Sequence, residues 1–251
     1  MMRSSGLHEG LRVAALSDIH GNIVALDAVL ADMALHGPFA EIIVAGDLVW
    51  SGPWPAEVVD RVRALPATVI TGNTDAFFRA EREEPPADKN PERFAAHMAW
   101  MQEQLGPERA AFLGSLPFSH RISPADAPGP AGAHDLLIVH ANPYDLERAI
   151  LPQMRDSDLD ELLLTDALPA FEMLAFGHVH VPFVRQWRGP YAILQWDGAA
   201  WQAEHRRVFY DAPLVAHQMR TGGMPRGKHF AERLMAAGYQ PLGQPAFVMT
   251  E

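Results

Sequence analysis

The stretch "RVAALSDIHGNIVALDAVLADMALHG", residues 12–37, changes its period halfway along, and that change decides the fold. Its opening residues form an apolar run without alternation, which reads as a buried strand ending in a polar turn. From Ile23 onward apolar residues recur at helical spacing, with Asn22 as the cap and Gly37 as the stop. The pattern then repeats. "EIIVAGD" is a second buried strand, "WPAEVVDRVRAL" a helix opened by Pro55, and "ATVITGNTD" a third strand running into a turn. Strands alternating with helices predict a parallel sheet covered on both faces.

Beyond Arg79 the texture changes. "RAEREEPPADKN" is charged and proline-bearing, "NPERFAAHMAWMQEQLG" has an Asn cap, Pro at the first helical position and a terminal Gly, and "PERAAFLGSL" reads as one more short helix. Residues 79–120 are thus expected to form a helical insertion, within a single domain spanning 1–251. "SPADAPGPAGAH" is a surface loop. "DLLIVH" and "EMLAFGH" resume the strands, with "DSDLDELLLTDAL" as a helix between them. "VPFVRQW", "YAILQWDG" and "WQAEHRRVFY" predict a β meander with a turn at "DGAA". Residues 213–251 are expected to be a helical tail. No internal repeat is present.

The chain has 251 residues, 48% of them apolar, enough to fill a sizeable core. No run approaches 18 apolar residues, and "MMRSSGLHEGLR" lacks the apolar stretch of a secretion signal, so no membrane association and a cytoplasmic location are expected. With no cysteine there is neither a disulfide framework nor a thiolate metal site. A net charge of −11 argues against nucleic acid as the main partner, because gripping phosphates along a backbone needs a basic surface. It is compatible with an enzyme that meets phosphates one at a time.

Five strands end in residues that an apolar sheet has no use for. They are "SDIHGN" (Asp18, His20, Asn22), "GDLV" (Asp47), "TGNTD" (Asn73, Asp75), "VHANP" (His140, Asn142) and "GHVH" (His178, His180). In an open α/β sheet the carboxyl ends of the strands converge on the crevice where ligands bind. Glycine before Asp47, Asn73 and His178 permits tight turns there. In an extended chain His178 and His180 project to one side. Singly, each of these residues is an ordinary turn or cap, and Asn22 is read as the helix cap. Two of the Asp, one of the Asn and the four His together make an oxygen and nitrogen set suited to two divalent cations.

The order DxH, GD, GN, H and GHxH resembles the calcineurin-like metallophosphoesterase superfamily, over roughly Arg12 to Phe183. "SDIHGN", the short turn after "GDLV", and "HVPFV" also resemble one bacterial branch. The resemblance implies an α/β, four-layer αββα sandwich with two central mixed sheets. It implies one metal held by Asp18, His20 and His180, and a second held by Asn73, His140 and His178, with Asp47 bridging. The implied cofactors are two divalent ions, Mn²⁺ first, with Fe, Zn, Ni or Co also accepted by such ligands. Two ions about 3.5–4 Å apart share and ionise a water, so the expected activity is hydrolysis of a phosphate ester or anhydride by metal-bound hydroxide. The expected partner is a small phosphorylated substrate, and a homodimer is compatible with this reading. The catalytic set is Asp47, Asn73, Thr74 and His178.

Two departures from the family pattern stand out. Where many relatives read GNHD, this chain has Thr74, whose hydroxyl is a poor general acid. Leaving groups that depart without full protonation, such as aryl esters, activated diesters or phosphoanhydrides, are therefore expected to be favoured. Asp75, the usual partner of that histidine, is left without an obvious catalytic duty, and His97 in the insertion could substitute as the acid. The second departure is the step from "VRQWRG" directly to "PYAILQWDG" at Gly189 and Pro190, where relatives commonly carry a further strand. Arg79, Arg82 and Arg93 are candidate phosphate contacts, and Trp50 and Trp54 a candidate aromatic wall, although solvated and packing roles respectively are the plainer reading. The alternatives are a scaffold protein with silent metal sites, a nuclease and a protein phosphatase.

Overall fold

Along the second strand, Ile43 and Ala45 pack into one apolar cluster and Val44 into another, so neighbouring residues face opposite ways and both faces of the sheet are covered. This is the signature of a central sheet, and it explains why the run lacks alternation. The structure, a computed structural model, describes residues 10–79, 90–125, 127–165, 168–181, 183, 195–206 and 208–236.

The first half runs β1 (Leu11–Leu16), α1 (Ile23–His36), β2 (Glu41–Val44), α2 (Pro55–Arg63), β3 (Ala67–Val69), a 3₁₀ turn (Asp75–Phe78) and α3 (Pro91–Gly114). The second half runs β4 (Ser119–Ile122), β5 (Leu136–Val139), α4 (Asp156–Leu163), β6 (Met173–Ala175), β7 (Gln195–Trp196), β8 (Trp201–Gln202), α5 (Ala212–Thr221) and α6 (Gly227–Ala236). One sheet has the order β3-β2-β1-β7-β8, and the other β4-β5-β6. Strands β1, β2 and β3 are mutually parallel, as are β5 and β6, whereas β4, β7 and β8 pair antiparallel. Both sheets are therefore mixed.

Four layers follow from the clusters. Val13, Ile43 and Ile70 meet Ile122, Leu136, Ile138 and Met173 between the sheets. Outside the first sheet, Leu16 and Val44 pack on α1, α2 and α3; outside the second, Leu174 packs on α4 through Leu159 and Leu162. Ile43 is fully buried in the middle layer, so Ile43→Ala would cost about 2–5 kcal/mol. The α5/α6 hairpin packs onto Val24, Trp54 and Trp100.

Several local signals read from the sequence hold. Asn22 caps α1 by accepting the Ala25 N–H, and Pro55 opens α2. In α3 the backbone leaves helical geometry at Gly106 (φ 66°), so two helical segments meet there, at the expected boundary. "DGAA" is a turn in which Asp197 Oδ1 accepts the N–H of Ala199 and Ala200. One strand escaped the sequence: Ser119–Ile122 pairs with β5 along its whole length. Of the meander, "WQAEHRRVFY" pairs only over Trp201–Gln202, shorter than expected, and "YAILQWDG" supplies Gln195–Trp196, its residues 191–194 lying outside the described residues. The proposed strand "VPFVRQW" and the junction at Gly189 lie outside the described residues, except Val181 and Phe183. Among the described residues no helix is long and apolar enough to cross a membrane.

Candidate metal centre

The parallel strands of both sheets end on one side of the molecule, and the polar residues follow those ends: Asp18 and His20 after β1, Asp47 after β2, Asn73 after β3, His140 after β5, His178 and His180 after β6. Backbone pairing continues past the strands. The N–H of Asp18 donates to Gly46 O (3.0 Å), that of His20 to Asp47 O (2.9 Å), and that of Gly177 to His140 O (2.9 Å). The two sheets are tied by the His178 N–H, which donates to Asp18 Oδ2 at 2.9 Å.

Five of these residues sit in the left-handed region: Asp18 (φ 57°), His20 (50°), Asp47 (54°), His178 (69°) and His180 (55°). Each such conformation costs an L-residue roughly 1–2 kcal/mol, and clustering at one spot marks a place where function constrains the backbone. Of the three glycines, Gly46 does turn left-handed, with φ 87°. Gly72 and Gly177 do not; there the need is room, since a methyl on Gly72 would overlap the Asp47 carboxylate and one on Gly177 the Asp18 carboxylate.

The side chains form two adjoining sets. In the first, Asp18, His20, Asp47 and His180 each offer one ligand atom, all within 4.8 Å of one another. His180 Nε2 lies 3.2 Å from Asp18 Oδ1 and 3.0 Å from His20 Nε2. In the second, Asn73 Oδ1 lies 3.1 Å from His140 Nε2 and 3.2 Å from His178 Nδ1. Asp47 stands between them. Its Oδ2 is 3.6 Å from His20 Nε2 and its Oδ1 is 3.4 Å from His140 Nε2.

Backbone carbonyls set the imidazole tautomers. His20 Nδ1 meets Val49 O (3.1 Å), His140 Nδ1 meets Ala45 O (2.9 Å) and His178 Nε2 meets Glu147 O (3.0 Å). A carbonyl only accepts, so the proton sits on those nitrogens and the opposite ring nitrogen of each neutral imidazole carries a lone pair. All three lone pairs face the carboxylate and amide oxygens of the site. Acceptors facing acceptors at about 3 Å repel unless a cation lies among them. Ligand atoms about 2.1 Å from a common ion are at most about 4.2 Å apart, so the first set needs only slight contraction. The residues present fit divalent cations.

Charges shift accordingly. Burial raises the Asp18 carboxyl, but the His180 hydrogen bond and, when they are protonated, the charges of His140, His180 and His20 outweigh it and bring it to about 2. Burial lowers His20 against the pull of Asp47. His180 is raised by its hydrogen bond to Asp18, against burial and the positive charge of Arg233. Burial, reinforced by Asp47, pushes the Asp75 carboxyl up to about 7.

Thr74 and Asp75 act on the Asp47 loop. The Thr74 N–H donates to Asp47 Oδ1 (2.9 Å) and its hydroxyl to Val49 O (3.0 Å). Asp75, fully buried, accepts the N–H groups of Asp47 (2.7 Å), Leu48 (3.0 Å) and Gly72 (2.9 Å). Asp75, without an obvious catalytic duty in the sequence, thus organises the loop. His97 is buried, with Nε2 donating to Trp50 O at 2.6 Å, and the Trp50 ring packs against Phe77, Phe94 and His97. Trp54 packs with the α5/α6 hairpin. Arg79 donates to Leu116 O, and Arg82 lies outside the described residues. The tautomer-setting carbonyls had no signal in the sequence, because every residue carries one.

The chain is 29% identical over 212 residues to an uncharacterized protein of Methanocaldococcus jannaschii, covering 84% of this chain and 78% of that protein. In structure it resembles a metallophosphoesterase from Sphaerobacter thermophilus, with TM-score 0.62 and 25% identity over 90% of this chain and 99% of that one. It also shares the fold of a hypothetical protein from Pyrococcus horikoshii, with TM-score 0.60 and 20% identity over 88% and 96% of the two chains. A family model described as calcineurin-like phosphoesterase matches residues 11–216, the span from β1 into α5 that carries all seven convergent side chains. With that match and that geometry together, the chain belongs to the calcineurin-like phosphoesterase family.

Proposed function

We propose that the chain is a dinuclear metal-dependent phosphoesterase acting on a small phosphodiester, or on a phosphomonoester or phosphoanhydride with a good leaving group. The observation that carries this is the division of the Asp47 carboxylate, with one oxygen toward His20 and the other toward His140. In this reading Asp18, His20 and His180 hold one ion, Asn73, His140 and His178 hold the other, and Asp47 touches both. When bound, two divalent cations supply a water ionised at neutral pH and offset the charge that builds on the phosphoryl oxygens.

The chain's own residues do the rest. Val49, Ala45 and Glu147 carbonyls hold the imidazole lone pairs inward, which is the outer-shell support that metal-ligating histidines need. Neutral Asn73 leaves its set less negative than a carboxylate would. The Thr74 hydroxyl proton is committed to Val49 O, which supports a preference for leaving groups that depart unprotonated. A scaffold role would go with lost ligands, whereas all seven positions keep ligand-competent side chains. The bacterial-branch resemblance, the cytoplasmic location and Mn²⁺ as the native ion are part of the same proposal.

The test is reconstitution with Mn²⁺ after chelation, with metal counted per chain and hydrolysis of a monoester, a diester and a dinucleotide polyphosphate compared. Two ions per chain, activity lost on chelation and restored by Mn²⁺, and loss of both in Asp47→Asn are expected. A chain that saturates with one ion, or hydrolyses nothing when loaded with two, overturns the reading.

A further inference from the structure

On α1, Val29, Asp32, Met33 and His36 recur at i, i+3, i+4 and i+7 and so form one stripe of the helix. The stripe does not serve the core: among the described residues, neither Val29 nor Met33 joins any of the four apolar clusters. It lines instead a cavity of about 520 Å³, a size within the range of small-molecule sites. Further apolar lining comes from Leu174, Phe176 and Val179, on β6 and just beyond it, and Phe176 meets Phe183 edge-on at 5.6 Å.

The cavity adjoins the metal centre. Asp18 and His180, whose Oδ1 and Nε2 lie 3.2 Å apart in the first set, belong to its lining. Val29 and Asp18 also line a second cavity of about 200 Å³, so the stripe on α1 begins beside a metal ligand. We propose that the larger cavity seats the organic group esterified to the substrate phosphoryl, and that this group is an uncharged aromatic ring. The inference rests on the phosphoesterase reading above.

The chemistry of the lining selects the occupant. Its two arginines are already engaged: Arg206 donates to Asp32 and Glu204, while Arg12 donates to Pro38 O and lies over the Phe39 ring at 5.0 Å. A second phosphate would have to displace one of these partners, and an uncharged group displaces none. The Phe39 and Phe176 rings and the Met33 thioether offer a ring the edge and sulfur contacts that aromatic groups favour. An apolar group there leaves water for a wall that is itself apolar, so its burial adds to the hold on the phosphoryl group.

The test uses the full chain loaded with Mn²⁺ and two non-hydrolysable probes that differ only in the organic group, phenylphosphonate and methylphosphonate. Affinity is read by calorimetry, with metal counted on the same samples. Wild type is expected to bind phenylphosphonate about 10- to 100-fold more tightly, the gain from burying one ring. Val29→Trp, which puts an indole into the cavity, is expected to remove that preference while the metal count and the methylphosphonate affinity stay at their wild-type values. Met33→Trp, one turn farther along the stripe, is the second filling variant and is read in the same way should the first not fold. Leu35→Trp, on the exposed side of α1, should keep the preference. A loaded wild type that shows no preference, or a preference that survives in a folded Val29→Trp or Met33→Trp, overturns the role of the cavity and leaves the phosphoesterase reading standing. A wild type that takes up no metal and binds neither phosphonate overturns that reading and this inference with it.

Discussion

The Asp75 carboxylate accepts the backbone N–H of Asp47 at 2.7 Å, and with it those of Leu48 and Gly72. Asp75 follows Thr74, and its partners are backbone amides. It is a positioning residue for the loop that carries Asp47. An asparagine would present N–H groups to at least one of three donors, leaving a buried amide unsatisfied. Asp75→Asn should therefore cost about 1–3 kcal/mol in thermal or denaturant unfolding. It should also weaken metal binding by about 10- to 100-fold in chelator competition, the effect expected of an outer-shell partner. Wild-type metal affinity in a destabilised Asp75→Asn would confine the residue to a folding role.

The Thr74 hydroxyl, committed to Val49 O, gives a second test. Thr74→Val keeps the shape and removes only the proton, and Val49 O still accepts from His20. Hydrolysis of an aryl phosphodiester should stay within a factor of about 3 of wild type, against the roughly 100- to 10,000-fold that a working general acid contributes. A loss of that larger size would show the hydroxyl protonating the leaving oxygen.

What could be read from the sequence divides along physical lines. Asp18, His20, Asp47, Asn73, His140, His178 and His180 were legible because a polar side chain at the end of a buried strand has no packing role, and strand ends converge. Gly106 and Pro107 marked the break in α3 because both punctuate helices. The strand Ser119–Ile122 was not legible: four residues, three of them charged or polar at the edge of a sheet, carry no period. That the strands divide into two sheets came from the family resemblance, since periodicity reports burial and not which strands pair. The carbonyls of Val49, Ala45 and Glu147 were invisible for another reason, because their role depends on backbone direction alone.

Far from the metal centre, Asp32 on α1 accepts from Arg206 Nε at 2.7 Å and Nη2 at 3.0 Å, joining residues 174 apart in the chain. The Arg206 hydrogen bonds hold the Asp32 carboxyl below its ordinary value of 3.8. A depressed carboxyl stabilises the fold above that value and loses its contribution as pH falls through the lowered one. Wild type should therefore melt slightly above Asp32→Asn at pH 6, with the gap closing as the pH falls through the lowered value and shrinking in about 1 M salt. A gap independent of both pH and salt would mean that the pair contributes packing and not charge.

Asn142, fully buried, winds the loop after β5: its Nδ2 donates to Arg148 O at 2.9 Å, and its Oδ1 accepts from Tyr144 N at 2.8 Å and Asp145 N at 3.1 Å. That loop carries Glu147 O, the acceptor that turns the His178 lone pair toward Asn73. Asp18, His20 and His180 make no contact with it among the described hydrogen bonds. Asn142→Ala should thus affect one set and spare the other. Under stepwise chelation it should release one of its two ions at a chelator concentration about 10-fold lower than wild type requires, while the remaining ion keeps its wild-type affinity. Release of both ions together would mean that the two sets form a single cooperative unit, with Asp47 too tightly shared for either to be loosened alone.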